Sequence, residues 1–285
     1  LLKGISICET HYPEPQLRLM GDIDLLVVDD QIRNAVEAQL RGLGYRQQSH
    51  YPEEFYRTLH HSMPFFHPLR KIWVEVHSRL FPPTATVADD KVFSRDQITS
   101  QTVSREFRGV RCMQLTDEMQ LVYTSSHWAE EFNSIRGLVP MVDVLYLLTR
   151  STHVIDWDLI LSWLPGTATS AHLCLMTTYL ERCGLITIPE EVSSKLYTCA
   201  TSLNHLNLSL LWRLIDAFLV EGRSYGRVLT GSNVGIIWKT LLSRGSPTNN
   251  LLSIPRNLAL PPGNPRRHKP AFQLSRIAAA LGLRR

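Results

Sequence analysis

The 285-residue sequence predicts an α+β protein with a mixed sheet flanked by helices over residues 1–115 and an all-α helical half over 116–260. Three observations carry that expectation. Apolar residues recur with a period of two in the first part, and from Thr116 onward the period is about 3.6. Two segments of the first part, Asp22 to Val28 and Lys71 to His77, are rich in the residues that strands prefer. Residues 261–285 open on Pro261-Pro262-Gly263-Asn264-Pro265, the composition of a linker or basic tail.

The elements follow in order. Residues 4–12 begin a helix, with Gly4 allowing a tight entry and the free N–H groups of the first turn available to phosphate. Residues 22–28 form a strand buried on both sides. Asp29-Asp30 caps a helix carrying Ile32, Val36, Leu40 and Leu43, which stops at Gly42 to Gly44. Further strands are expected at 45–49, 54–60 and 72–80. Pro82-Pro83 breaks the pattern, and a short strand returns at 110–115. Thr116 starts a helix with Asp117 and Glu118 favourably placed in its first turn. Helices then cover 117–132, 138–150, 156–164, 169–182, 189–202, 205–220 and 233–243. Asp156-Trp157-Asp158 reads as an N-cap. There is no internal repeat.

Composition narrows the function classes. No run of eighteen apolar residues exists, so no membrane span is expected. Residues 1–7 lack the features of a signal peptide. The five cysteines (Cys8, Cys112, Cys174, Cys183 and Cys199) are scattered without a C-x-x-C pair, which suits a reducing, cytoplasmic location. Net charge is +4, unevenly placed: from residue 221 onward Glu221 is the sole acid against eleven Lys and Arg. Such asymmetry fits an anionic partner such as RNA, but no aromatic stacking pattern is interleaved with the charges, and a solvated tail is the preferred reading.

The chemistry concentrates in Gly21-Asp22-Ile23-Asp24. Strand alternation puts Asp22 and Asp24 on one face, about 7 Å apart along the backbone. Carboxylates that close need a counter-charge, and a divalent cation supplies it. Glu75 on a second strand provides a third carboxylate, with His77 on its face. Asp22, Asp24 and Glu75 are therefore the candidate metal ligands, Asp22 or Asp24 bridging two ions. The bland alternatives are solvated or capping aspartates and an edge-strand glutamate facing water. Arg18 and Lys3 read equally as triphosphate contacts or surface cations. Asp143 sits in an apolar stripe with Val139, Val142 and Tyr146 and needs a partner, for which His127 and Arg136 are candidates. His60, His61 and His67 match no zinc spacing and read as a loop lining an acceptor pocket.

Taken together, these motifs have a family character. Leu2-Lys3-Gly4, Tyr12-Pro13, Arg18 before Asp22-Ile23-Asp24, Leu40 to Tyr45, Val74-Glu75-Val76-His77, His127, Arg136-Gly137-Leu138 leading to Asp143, and Ile155-Asp156-Trp157 occur in one order. Over roughly residues 1–190 they resemble the bacterial nucleotidyltransferase family proteins of the DNA polymerase β-like superfamily. The resemblance implies a nucleotidyltransferase-type sheet and helical residues upstream of residue 1. It implies transfer of NMP from an NTP, ATP among them, to a hydroxyl on a small molecule or peptide, with release of pyrophosphate. Mg²⁺ or Mn²⁺, two ions, would be held by catalytic Asp22, Asp24 and Glu75. Nucleotide contacts would fall to Lys3, Gly4, Ser6, Arg18 and His77, with His127 and Asp143 facing the cleft. In this chain Ile5 separates Gly4 from Ser6. The same fold also implies two alternatives, an RNA-modifying toxin and an inactive nucleotide-binding scaffold.

Overall fold

Strand β1 (Asp22–Leu26) and strand β4 (Ile72–His77) lie side by side and parallel, and this pairing organises the first part of the chain. The structure, a computed structural model, describes residues 1–48, 56, 59–135, 138–151, 154–202, 206–217, 238 and 242. Strands β2 (Arg46–Gln47) and β3 (Phe65–His67) complete a mixed sheet of order β1-β4-β3-β2, antiparallel apart from the β1–β4 pair. A separate hairpin joins β5 (Thr102–Phe107) to β6 (Val110–Leu115). Its turn places Arg108 and Gly109 both at positive φ, 52° and 78°, the conformation that matches strand twist in a two-residue connection.

Helix α1 (Lys3–His11) precedes β1, α2 (Asp30–Gly42) follows it, and the short α3 (Arg95–Ser100) leads into the hairpin. The Asp29 carboxylate accepts from the N–H groups of Gln31 and Ile32, capping α2 as the sequence predicts. The chain leaves that helix through Gly44 at φ 92°. Six helices then follow: α4 (Asp117–Ile135), α5 (Val139–Arg150), α6 (Trp157–Trp163), α7 (Thr169–Arg182), α8 (Glu190–Thr201) and α9 (Leu208–Ile215). These bounds agree with the expected helices to within a residue or a few. Of the expected helix 233–243, Trp238 and Leu242 are described and helical. The expected strand 54–60 lies mostly outside the described residues, as do Arg136, Gly137 and the tail 261–285.

Two apolar clusters divide the interior. The smaller one packs Leu40 of α2 against Phe65, Val74 and Val76 of the sheet. The larger one runs through α4 to α9 and takes in Ile7 and Cys8 of α1, so α1 is rooted among the later helices. The expected strand 22–28 ends at Leu26 and is only partly buried, because β1 is the edge of its sheet. The expected strand 72–80 stops at His77. Strands β3 and β5 and helix α3 went unpredicted, being too short or too charged to show a period. All five cysteines are free. Among the described residues no helix is long and apolar enough to cross a membrane.

Candidate active site

Parallel pairing sets the register Asp22↔Trp73, Asp24↔Glu75 and Leu26↔His77. Asp24 therefore stands beside Glu75, and His77 follows two residues on along the same face. The His77 Nε2 lies 2.8 Å from Asp24 Oδ1 and 3.4 Å from Glu75 Oε2. From the other side the Lys3 Nζ comes to 3.4 Å of Asp24 Oδ2. Lys3 is delivered there by the backbone: the Leu2 N–H donates to the Asp24 carbonyl at 3.0 Å, joining the start of α1 to β1. Donor atoms of Asp24, Glu75 and His77 all lie within 4.8 Å of one another, a grouping able to hold a metal ion.

These side chains open onto a cavity of about 520 Å³. Asp22 is exposed at its mouth, and Arg18, His60, His61 and Asp143 also line it. The imidazoles of His60 and His61 pack 4.9 and 5.3 Å from that of His77, centroid to centroid. On the opposite wall α4 contributes Thr124, His127 and Glu131, one helical face at i, i+3 and i+7.

The electrostatics follow from this crowding. Burial opposes ionisation of Asp24, but the His77 hydrogen bond and the Lys3 charge outweigh it and hold the carboxyl well below its usual range. Glu75 is likewise lowered against its burial, chiefly by the hydrogen bond with His77. His77 is raised: burial works against its charged form, and the two carboxylates win. Burial also opposes the Lys3 charge, yet Tyr123 and the surrounding acids keep it above the ordinary lysine range. Burial drives His60 and His127 down, so both stay neutral near pH 7. Asp22 alone among the three carboxylates is raised, by burial and then by the charges of Asp24 and Glu75. A surplus of negative charge therefore sits at Asp22, which a cation would relieve.

Two sequence expectations need correction. Ser6 is fully buried, its hydroxyl has no hydrogen-bond partner, and it does not line the cavity. Ile5, between Gly4 and Ser6, lines the cavity instead. Gly4 does not serve a turn. The left-handed conformation falls on Lys3, at φ 47°, at a cost of about 1 kcal/mol, while Gly4 lies inside α1 with the Arg18 guanidinium against it.

The partner of Asp143 also differs from the two candidates. His127 pairs with Glu131, Nε2 to Oε1 at 3.4 Å, and Arg136 lies outside the described residues. Asp143 is instead bound by Arg18 and by the Tyr12 hydroxyl, at 2.8 and 2.7 Å. His67, grouped in the sequence with His60 and His61, packs on Tyr45 at 4.9 Å and takes no part in the cavity. Thr124, Glu131 and Tyr12 were not anticipated. Helical spacing from His127, three residues back and four on, is the signal by which the first two could have been found.

The family described as uncharacterised nucleotidyltransferase matches residues 1–183, a span that includes every residue lining this cavity. No curated protein and no solved structure matches the chain.

Proposed function

The chain belongs to the uncharacterised nucleotidyltransferase family, and from that premise we propose that it moves NMP from an NTP to an acceptor hydroxyl and releases pyrophosphate. The observation that carries this reading is the convergence of Asp24, Glu75 and His77 beside Lys3, with Asp22 at the mouth of the same cavity. A phosphate-directed cation and a carboxylate cluster in one chamber are the two components that nucleotidyl transfer needs.

Asp22, Asp24 and Glu75 are the proposed holders of Mg²⁺ or Mn²⁺, hard oxygen donors suited to those ions. Bound there, the metal would supply neutralisation of the polyphosphate charge and a lowered pKa for the acceptor hydroxyl. His77 orients Asp24 through the 2.8 Å contact and keeps its carboxylate ionised. Lys3 stays protonated and meets the phosphates, and Arg18 adds a second cation. His61, whose Nε2 lies 4.0 Å from Glu75 Oε2, stands on this wall where it could accept the proton of an incoming hydroxyl, while burial makes its neighbour His60 too weak a base for that role. A cavity of about 520 Å³ is of the size that takes small molecules.

Thermal unfolding with each of the four NTPs, in the presence and absence of Mg²⁺ or Mn²⁺, tests this. One NTP should raise the melting temperature only when metal is present. At a hundredfold excess over Kd the stabilisation is about 2.7 kcal/mol, several degrees for a chain of this size. Absence of a shift with every NTP, or a shift that survives EDTA unchanged, contradicts the proposal.

A further inference from the structure

Arg18 is held unusually firmly for a residue in a loop. Its Nε and Nη2 fork onto the two carboxylate oxygens of Asp143 at 3.0 and 2.8 Å, and Nη1 donates to the Leu19 carbonyl at 3.0 Å. Asp143, on α5 and 1 % exposed, is fixed in turn by the Tyr12 hydroxyl. A guanidinium carries five N–H donors in a rigid plane, so three are occupied and one on each terminal nitrogen is left. That plane lies directly on Gly4. A Cβ added at Gly4 would overlap Nη1 and Cζ and come within 2.9 Å of Nη2. Because Asp143 pins the group, it cannot retreat as the end of a free arginine would. Gly4 thus occupies a helical position where a side chain would evict Arg18 from the cavity wall, next to Lys3.

We infer that Asp143 is a positioning residue for polyphosphate binding: through the fork it aims Arg18 at the phosphates, with Gly4 leaving the room, and it does not itself touch the nucleotide. A carboxylate in direct contact with a triphosphate would repel it, whereas one that orients a guanidinium lowers the entropy lost when that guanidinium grips an anion. Nucleotide affinity is then set partly from α5, 125 residues along the chain from Arg18. The inference rests on the nucleotidyltransferase reading and specifies how that site recognises its substrate.

Calorimetric titration of the full chain with inorganic tripolyphosphate and with the NTP, both with Mg²⁺, provides the test. Arg18→Ala and Asp143→Asn should each weaken both ligands by about 10- to 100-fold, the worth of one or two charge-assisted hydrogen bonds. The double variant should be no weaker than Arg18→Ala, because Asp143 acts only through the guanidinium. Under turnover KM should rise with kcat changed less than about twofold. Gly4→Ala removes neither charge and is favoured by helix propensity, so it keeps the proposal testable if Asp143→Asn folds poorly. It should weaken tripolyphosphate at least about 10-fold, with a fall in melting temperature no larger than that of Arg18→Ala. Wild-type affinity in Gly4→Ala or in Asp143→Asn, or additive losses in the double variant, would overturn the inference while leaving the nucleotidyltransferase reading intact. A wild-type chain that binds neither ligand would overturn both.

Discussion

Asp22→Asn is expected to lower nucleotidyl transfer on the order of 10³-fold while leaving the metal-free protein as stable as wild type. The two aspartates of the motif differ here. Asp22 is exposed, and its ionised form is disfavoured by burial of its surroundings and by Asp24 and Glu75. Removing its charge relieves that repulsion, and screening by solvent keeps the gain under about 1 kcal/mol. Asp24 is 5 % exposed and neutralises both Lys3 and His77. Asp24→Asn takes the counter-charge from Lys3 and leaves His77 with Glu75 alone, and should cost about 3–5 kcal/mol in addition to activity. Turnover and melting in EDTA, measured side by side, separate the pair. Equal stability losses in the two variants, or appreciable turnover by Asp22→Asn, would contradict this assignment.

A stability effect as large as that of Asp24→Asn is expected away from the cavity, at Asp117→Ala. Asp117 is wholly buried at the start of α4. Its carboxylate lies 3.3 Å from His11 Nε2 of α1 and 3.1 Å from Arg105 Nη2 of β5, and accepts from Ser151 Oγ after α5 at 2.8 Å. One side chain thereby joins three elements and a loop. Deleting it leaves the wholly buried His11 imidazole and the partly buried Arg105 guanidinium without their carboxylate, a loss of about 3–5 kcal/mol, or on the order of 10 °C in melting temperature. Burial would raise the Asp117 pKa, but His11, Ser151 and Arg105 hold it below the usual value. A depressed carboxyl contributes fully above the unfolded aspartate value, near 3.9, and its contribution disappears as pH falls through the folded value. The gap between wild type and variant should accordingly be full at pH 7 and close in strong acid. A gap that stays constant with pH would assign the effect to packing alone.

Asp117 also shows what sequence periodicity reveals and what it hides. Its place in a helical first turn was evident, and the helix dipole gave it a sufficient role. Its burial depends on Arg105 in a hairpin whose strand β5, with Arg105 and Glu106 in its middle, carries no apolar alternation. The D-x-D strand and the V-E-V-H strand were legible because alternation with β-branched residues leaves a clear period. Their parallel pairing was not, since register across the intervening α2, β2 and β3 has no local signature. Gly4 was recognised as special for the wrong reason. A glycine required by a long-range approach, here Arg18, looks the same in sequence as one required by a turn. The bond from Arg18 to Asp143 is likewise invisible, because each residue has a sufficient local reading as a surface cation or a helix-stripe acid.

In the proposed complex Asp22, Asp24 and Glu75 share a divalent ion while Lys3 and Arg18 face the phosphates of an NTP. A crystal grown with Mn²⁺ and a non-hydrolysable NTP locates the ion directly by its anomalous scattering. The peak is expected between these carboxylates, with the polyphosphate running toward Lys3 and Gly4. Manganese found only elsewhere, or a nucleotide seated outside this cavity, would contradict the account.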